Sequence, residues 1–287
     1  MSTEPLPLYL RAERGPAAKI GKAVAWVAVL LFALFTVFPF VWMVLTSLKT
    51  QPEIFGNPGM LLPQAINLDA YVKIWSELPF ARLFLNSIVF AGGATALSVF
   101  FDSLSAYALA RLDFPGKTAA FYLVLATLMV PYQITLIPLF QTVFDLHWLN
   151  TYQGLIVPRA TSAFGIFMLR QFFVTVPKEL DAAARMDGAN EFRIYWSIML
   201  PLARPALATL AVFLFMNNWN DFLWPLVITS STDMRTLPAG LALFGGQFVV
   251  EHAVLMAGAT LSLLPLAIAF VFAQRYFVQG IATTGIK

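Results

Sequence analysis

The most unusual group of polar side chains in the sequence is NNWND at residues 217–221, which lies inside an apolar run and is followed by Trp224. An unpaired polar group in hydrocarbon is costly, and a charge at the membrane midplane costs at least about 2.5 kcal/mol, so this group must face protein or water. Amides and carboxylates exchange hydrogen bonds with hydroxyl groups, and indole rings cover C–H surfaces. The group therefore has the chemistry of a site for a hydroxyl-rich ligand such as a sugar.

Helical geometry limits how many of these side chains can share one face. Successive residues of a helix are rotated by about 100°, so five consecutive side chains cannot all line one path. Asn217, Asn220 and Asp221 share a face through their i, i+3, i+4 spacing. We predict that these three residues and Trp224 line a substrate path, while the residues at 218 and 219 pack against neighbouring helices. The alternative is that the whole group anchors helix contacts or lies at the outer membrane interface, where tryptophan is common.

The largest charged segment runs from Pro177 to Pro201 and carries four acidic and three basic side chains. A polar segment of this size between apolar runs must lie in water. Its sequence predicts a helix, a turn and a second short helix. Pro177 suits a first helical turn, Gly188 suits the left-handed conformation that closes a helix, and Asn190 is a suitable cap for the next helix. Pro201 is predicted to end that second helix.

The first helix of this charged segment has features that favour stability and docking. Glu179 and Asp181 lie where the helix dipole favours acidic side chains. Asp181 precedes Arg185 by four positions, which is the supportive orientation for an ion pair. The small alanines at 182–184 leave the backbone accessible to the surface of another protein. The sequence therefore predicts that this helix contacts a partner.

The composition is that of a membrane protein. Hydrophobic residues make up 59% of the 287 residues and charged residues only 11%, whereas soluble domains are roughly 45–50% apolar. The basic residues are spread along the chain, which argues against nucleic-acid binding. The chain has no cysteine and two histidines, so neither a metal site nor a cofactor is predicted. No phosphate-binding GxxxxGK[ST] motif occurs, so the chain is predicted not to be an enzyme.

Six apolar runs are long enough to cross a bilayer, which needs about 20 residues. The sequence therefore predicts an all-α integral membrane protein with both termini on one side. Of the 18 Lys and Arg residues, 13 fall on that side, four fall on the other and Arg159 lies within a span, which places the termini in the cytoplasm. We predict a cytoplasmic arm at 1–22, a transmembrane domain at 23–277 with a charged loop at 174–203, and a cytoplasmic tail at 278–287. The predicted spans are 23–48, 83–110, 118–144, 148–169, 205–232 and 253–274.

The charged segment and its surroundings resemble a known family. ELDAAARMDGAN at 179–190 and IMLPLARPAL at 198–207 resemble the cytoplasmic EAA loop of permeases of ATP-binding cassette (ABC) importers, most closely the sugar-importing group that includes the maltose transporter. The strings SAYALARLDFPGK, PYQITLIPLF and FGIFMLRQFF extend the resemblance from about residue 46 to the C-terminus. The position of the motif's glutamate is Ala182 here, and Glu179 and Asp181 are the acidic side chains nearby.

The resemblance implies a function and a set of partners. It implies a permease subunit of an ATP-driven, binding-protein-dependent sugar importer in the cytoplasmic membrane of a bacterium or archaeon, forming the path with a second homologous permease and working by alternating access. Two cytoplasmic ATPase subunits would bind ATP and Mg, and an extracytoplasmic solute-binding protein would deliver the sugar. The residues that the resemblance assigns to ATPase coupling are Glu179, Leu180, Asp181, Ala183, Ala184, Asp187 and Gly188.

Three features have more than one interpretation at this point. The segment at 49–82 is predicted to face outward, either as a docking surface for the binding protein or as a loop resting on the lipid headgroups. Asp102 and Arg159 are either a translocation or gating pair, or an acid near the interface and a snorkelling base. The alternative function is an ATP-independent secondary transporter or channel for small polar solutes, which needs more intramembrane charges than the sequence offers.

Overall fold

The computed structural model describes residues 16–247 and 251–284, and every regular element in these two ranges is helical. The prediction of an all-α chain is confirmed to that extent. The chain falls into two compact units. The first consists of Met1–Tyr71 and Glu251–Thr260, and the second consists of Val72–Val250 and Leu261–Lys287.

The first unit contains a long apolar helix, α1 (Pro16–Ser47), and a short helix, α2 (Gln51–Gly56). Most large side chains of α1 are exposed, which is the pattern of a helix that meets lipid or another protein rather than its own chain. After α1 the chain is held by side-chain contacts. Ser47 and Tyr71 share a hydroxyl–hydroxyl hydrogen bond of 2.7 Å, and the rings of Phe55 and His252 meet edge to face with their centroids 5.2 Å apart.

The second unit is organised around α4 (Phe80–Arg111), a continuous helix of 32 residues. A short helix, α3 (Asp69–Glu77), begins in the first unit and precedes it. The later helices are α5 (Lys117–Thr127), α6 (Tyr132–Asp145), α7 (Tyr152–Ile156), α8 (Ala163–Thr175), α9 (Glu179–Met186), α10 (Glu191–Ile194), α11 (Leu200–Leu202), α12 (Arg204–Trp219), α13 (Leu223–Ile228), α14 (Leu237–Gln247) and α15 (His252–Thr284), the last of which begins in the first unit. α4 packs chiefly against α8 and α12.

Only some of the predicted spans are continuous helices. Within the described residues, three helices are long and apolar enough to cross a membrane: Lys19–Ser47, Phe80–Arg111 and His252–Val271. The number rises to five if two bent pairs are each counted as one span. These pairs are α5 with α6, which are bent by 100°, and Glu191–Leu202 with α12, which are bent by 77°. The structure thus does not reproduce six continuous spans.

Prolines and helix caps explain where the helices are interrupted. Pro131 lies between α5 and α6, and Pro158 lies in a short 3-10 turn, Val157–Arg159, between α7 and α8. Ser162 then begins α8, because its hydroxyl accepts a hydrogen bond from the Gly165 N–H at 2.9 Å. The predicted fourth span at 148–169 is therefore two short helices rather than one long one.

The second helix of the charged segment does not end at Pro201, contrary to the prediction. A π-helical turn, Tyr195–Met199, precedes the proline, and the Leu200 N–H donates to the carbonyl of Tyr195 five residues earlier. This wider turn has already interrupted the usual i to i−4 pattern, so the missing N–H of Pro201 does not stop the helix. The chain instead bends after α11, at Ala203.

Both ends of the described chain are more helical than the sequence suggested. α1 begins at Pro16, inside the arm predicted at 1–22, and α15 continues to Thr284, inside the tail predicted at 278–287. The remaining parts of these two predicted segments, residues 1–15 and 285–287, lie outside the described residues.

Among the described residues, two buried apolar clusters lie in the second unit. One contains Tyr107 from α4 and Phe173 from α8, together with side chains from the charged segment such as Ala184 and Ile194. The other contains Phe90 from α4 and Trp224 from α13. α4 contributes to both clusters, so its position determines where the charged segment and the interrupted helices lie.

The packing of α8 on α4 yields a test at Gly165. A Cβ added at this position would lie 2.1 Å from Oδ2 of Asp102, whereas one added at Gly92 would meet no atom within 4 Å. The Asp102 side chain cannot easily move away from the added Cβ, because three other groups donate hydrogen bonds to its carboxylate. We expect Gly165→Ala to lower the free energy of unfolding by about 1–3 kcal/mol, as overpacking does. The measurement is thermal unfolding of the detergent-purified chain.

Gly92→Ala is the matched control for this substitution, since it also changes a helical glycine to alanine. It is expected to be neutral or to stabilise by up to about 1 kcal/mol through helix propensity. Equal unfolding temperatures for the two variants would contradict the close approach of α8 to α4.

Candidate coupling segment and polar cluster

The charged loop predicted at 174–203, called the coupling segment below, has the predicted helix-turn-helix at its centre. Gly188 adopts a positive φ of 79°, which a residue without a Cβ tolerates best, and this turn closes α9. Asn190 then caps α10, because its side-chain oxygen accepts a hydrogen bond from the Arg193 N–H at 2.9 Å. Local sequence therefore determines the shape of this segment.

α9 has one face on its own chain and one face in the open. Asp181 and Ala184 are buried, whereas Leu180 is 41% exposed and Met186 is 89% exposed. The exposed face of α9 consists of Glu179, Leu180, Ala182, Ala183 and Met186, and the turn residues Asp187 and Gly188 are exposed beside it. The seven predicted coupling residues are thus divided: five are accessible to a partner, and two pack inward.

The predicted ion pair between Asp181 and Arg185 does not form. Asp181 instead lies 3.5 Å from a guanidinium nitrogen of Arg111, and both side chains are almost fully buried. Arg185 donates to the carboxylate of Glu191 at 2.8 Å, and this bond raises the pKa of Arg185 above its ordinary value. Asp181 binds Arg111 on α4 rather than Arg185 because the Asp181–Arg111 pair is buried, where water screens the attraction between the charges less than at the surface.

Three residues of α4, called the tether residues below, hold the coupling segment. Ser103 shares a hydrogen bond of 2.8 Å with the Tyr195 hydroxyl, and the Tyr107 hydroxyl donates to the Glu191 carboxylate at 2.7 Å. Arg111 is the third tether residue. Besides its ion pair with Asp181, it donates to the backbone carbonyl of Val176, just after α8. The segment is therefore attached to α4 at three separate places.

The polar group at residues 217–221 is divided between the surface and the core. Asn217 and Asn220 are exposed, whereas Asn218 and Trp219 are buried, as predicted for residues that pack against neighbouring helices. The Trp219 indole donates to the Ser262 carbonyl at 3.1 Å. α12 ends at Trp219, so the chain leaves the helical path within the polar group itself.

Trp224 does not line an open surface. It is fully buried in α13, and its indole N–H donates to the carbonyl of Leu155 at 3.2 Å. The prediction treated residues 217–224 as one helix, but the break after Trp219 rotates α13 and turns this side chain into the core. Trp224 therefore packs against neighbouring helices and does not line a substrate path in this conformation.

Asp221 pairs with Arg159, so Arg159 and Asp102 do not form the pair that one of the two sequence-based interpretations offered. One guanidinium nitrogen of Arg159 donates to the Asp221 carboxylate, and the guanidinium group lies over the ring of Tyr132, 4.2 Å from its centroid. The other oxygen of Asp221 accepts from the Trp224 N–H at 3.2 Å and so begins α13. This one cluster therefore joins the first residue of α6, the 3-10 turn between α7 and α8, and the start of α13.

Asp102 has a different set of partners at the start of α8. Its carboxylate accepts hydrogen bonds from Ser98 at 2.9 Å, from the Thr161 hydroxyl at 2.7 Å and from the Ser162 N–H at 2.8 Å. An acid at a helix N-terminus is favoured by the helix dipole. Asp102 thus fixes the start of α8 on α4, and it does not pair with Arg159 as the first of the two interpretations required.

A groove of about 780 Å³ lies beside the Arg159 cluster. Tyr132, Arg159 and Ser162 line it together with the exposed residues Thr135 and Thr142. The volume falls within the range of about 300–1,000 Å³ that is typical of small-molecule sites. Among the residues that the structure describes, no group of three or more His, Asp or Glu side chains could hold a metal ion.

Sequence reasoning missed the tether residues, although a signal was present. Ser103, Tyr107 and Arg111 recur every four positions within an apolar run, which places three polar side chains on one face of a helix. It also missed Met186, which is 89% exposed on α9, because an apolar residue in a charged segment did not stand out. The Arg159–Asp221 pair joins residues 62 positions apart, and no local pattern could reveal it.

The fold and these two sites define a multi-pass helical membrane protein with a charged surface segment. The chain belongs to the family of binding-protein-dependent transport system inner membrane components, whose match covers residues 103–283. It is therefore an inner-membrane permease, as the resemblance of the coupling segment implied.

Individual relatives match nearly the whole chain. It is 38% identical to the arabinooligosaccharides transport system permease protein AraQ of Halalkalibacterium halodurans, over 94% of this chain and 99% of that one. It is 35% identical to the trehalose/maltose transport system permease protein MalG of Thermococcus litoralis, over 91% and 95%. It is also 35% identical to the sn-glycerol-3-phosphate transport system permease protein UgpE of Escherichia coli, over 89% and 92%.

Solved structures show the same fold. A bacterial ABC transporter involved in the import of the acidic polysaccharide alginate matches with a TM-score of 0.81 and 24% identity, over 96% of this chain and 100% of that chain. A bacterial alginate ABC transporter in complex with a periplasmic protein bound to alginate pentasaccharide matches with a TM-score of 0.65 and 14% identity.

The Arg159–Asp221 pair yields a double-mutant test. Arg159→Gln leaves a carboxylate without its cation, and Asp221→Asn leaves the cation alone but keeps an oxygen for the Trp224 N–H. Each single change is expected to lower the free energy of unfolding by about 2 kcal/mol, whereas the double variant should lose less than the sum of the two. The measurement is chemical or thermal unfolding in detergent. Additive losses would show that the two side chains do not stabilise each other.

Proposed function

We propose that this chain is the permease subunit of an ATP-driven, binding-protein-dependent sugar importer. Family membership supports a transport role, and two of the relatives described above are named for oligosaccharide or disaccharide transport. The observation that carries the proposal is the two-sided α9. Buried Asp181 and Ala184 attach it to the chain, while its opposite face is exposed and partly apolar. Such a face is suited to a partner protein.

The partner of this face is a cytoplasmic ATPase subunit in our proposal. The chain carries no phosphate-binding loop of its own, so energy has to enter through contact with a protein that binds ATP and Mg. The residues offered to that protein are Glu179, Leu180, Ala183, Asp187 and Gly188 among those predicted, together with Met186. Asp181 and Ala184 act from the inner side, where they hold α9 in place.

Transport then follows from alternating access. Two ATPase subunits closing around ATP would move the coupling segments of this chain and of a second homologous permease, and the path between the two permeases would open first to one side and then to the other. In this proposal the interrupted segment α7–α8 supplies the remaining crossing, so that both termini lie in the cytoplasm. The outward segment at 49–82 would receive the extracytoplasmic solute-binding protein.

The substrate path in this proposal includes Asn217, Asn220 and Asp221 near the end of α12. Asn217 and Asn220 are exposed, and their amides can exchange hydrogen bonds with sugar hydroxyls. Asp221 is engaged by Arg159, so it acts by keeping that end of α12 in place. Trp224 is left out of the path because its side chain is in the core.

Uptake by the reconstituted importer tests the proposal directly. The chain is placed in vesicles with its cognate second permease, ATPase subunits and binding protein, and maltose, arabinooligosaccharides and sn-glycerol 3-phosphate are offered in turn as labelled substrates. We expect uptake of a sugar that requires ATP and is unaffected by collapsing proton or sodium gradients. Uptake driven by an ion gradient without ATP would replace this proposal with the secondary transporter.

Two adjacent alanines of α9 separate partner contact from internal packing. Ala183 is exposed and Ala184 is 7% exposed. We expect Ala183→Leu to weaken association with the ATPase subunit by about tenfold at an unchanged unfolding temperature, because it adds bulk to the docking face only. Ala184→Leu should lower the unfolding temperature instead. Association is measured by titrating labelled ATPase subunit onto the purified permease, and normal association of Ala183→Leu would argue against docking at this face.

A further inference from the structure

The tether residues form a regular row on α4. Ser103, Tyr107 and Arg111 are spaced by four positions, so they lie on one face of the helix, one above the other. Each reaches a different part of the coupling segment. Arg111 meets α9, Tyr107 meets the start of α10, and Ser103 meets the π-helical turn.

The row is shielded from water. Ser103, Tyr107 and Arg111 are between 2% and 8% exposed, and Asp181 is 3% exposed. If the coupling segment moved away from α4, the buried Arg111 and Asp181 charges would lose each other, and separating a buried ion pair is costly. The geometry therefore favours movement of the coupling segment and the end of α4 as one body.

The covalent connections of the coupling segment are less rigid than the row. Between α8 and α9 the chain is non-helical at Val176 and Pro177, and Val176 is extended with ψ of 134°. At the other end, the chain bends by 77° before α12. A bend or a non-helical joint absorbs rotation, whereas a continuous helix passes it on.

α4 itself is unbroken for 32 residues, or about 48 Å at 1.5 Å per residue. Near its opposite end, the Asn86 amide donates to the carbonyls of Asp233 and Arg235 at 2.7 and 2.9 Å. The Ser87 hydroxyl also accepts from the Leu237 N–H at 2.7 Å. The helix thus has polar attachments to other parts of the chain at both ends.

We infer that Ser103, Tyr107 and Arg111 are positioning residues for transport, and that movement of α9 reaches the rest of the subunit through α4. The inference rests on the proposed function, because it requires that an ATPase subunit moves α9. It goes beyond that proposal in naming the route, which runs through side-chain contacts to α4 rather than only through the backbone joints with α8 and α12. Loss of a tether should leave ATPase binding unchanged and should lower the number of sugar molecules imported per ATP hydrolysed.

The test uses the fully assembled importer in vesicles and three conservative variants. Ser103→Ala and Tyr107→Phe each remove one hydroxyl, and Arg111→Gln removes the charge that faces Asp181. Three quantities are measured: the amount of ATPase subunit bound, the rate of ATP hydrolysis, and the number of sugar molecules imported per ATP hydrolysed. A role confined to stability would reduce all transport in proportion to the amount of assembled complex, so the ratio would not change.

Each tether variant has a matched control that removes the same kind of group elsewhere. Ser105→Ala removes a hydroxyl two positions from Ser103 that has no hydrogen-bond partner among the described residues, and Tyr122→Phe removes one from a tyrosine that is 64% exposed. Lys117→Gln removes a charge that lies 3.5 Å from the exposed Asp113 carboxylate and 3.4 Å from the Ala110 carbonyl, and that does not contact the coupling segment. Arg111→Lys keeps the charge and tests for partial recovery.

We expect ATPase binding in every tether variant to equal that of the wild type. The ratio of import to hydrolysis should fall about two- to tenfold in Ser103→Ala and Tyr107→Phe and further in Arg111→Gln, with the controls unchanged. Unchanged ratios in Ser103→Ala and Tyr107→Phe, with the wild type transporting normally, would overturn the inference and leave the proposed function standing. A wild-type assembly that imports no sugar with ATP would instead overturn the proposed function.

Discussion

The structure depends on one constraint: polar groups within apolar segments must find their partners inside the chain. Hydrocarbon offers no hydrogen bonds, so an unpaired charge or a free helix end there is costly. The chain meets this constraint by placing its charges at the helix interruptions. Asp102 binds the start of α8, and Asp221 binds both Arg159 and the start of α13. Interruptions and charges therefore occur together, because the free backbone N–H groups of a helix start donate to a carboxylate that would otherwise be unpaired.

This arrangement separates the helices into two kinds. α4 is continuous and contributes to both apolar clusters, while several helices packed around it are short, bent or capped by side chains. A continuous helix keeps its attachments at fixed distances, and an interrupted one can change its angle at the break. The second unit thus combines a continuous central helix with surrounding helices that are interrupted.

Sequence reasoning succeeded where the determinants were local. Hydropathy indicated the apolar helices, and Gly188 and Asn190 specified the turn of the coupling segment, because a positive φ and a cap need only neighbouring residues. It failed where a distant partner decides. Asp181 had an obvious partner at Arg185, yet it pairs with Arg111. Trp224 was assigned to the path, but its side chain is buried. The helix break after Trp219 depends on packing across the bundle, so the local sequence did not reveal it.

The two contacts of Asp221 restrict which amino acids can occupy this position. One oxygen of this side chain meets Arg159 and the other begins a helix. Asparagine would retain the oxygen for the helix but not the negative charge, and glutamate would retain the charge but displace its oxygens by one methylene from the backbone that it caps. Among the twenty amino acids, only aspartate meets both requirements. A substitution of Asp221 would therefore need a compensating substitution of Arg159. Such paired substitutions would be visible as covariation of the two positions among related sequences.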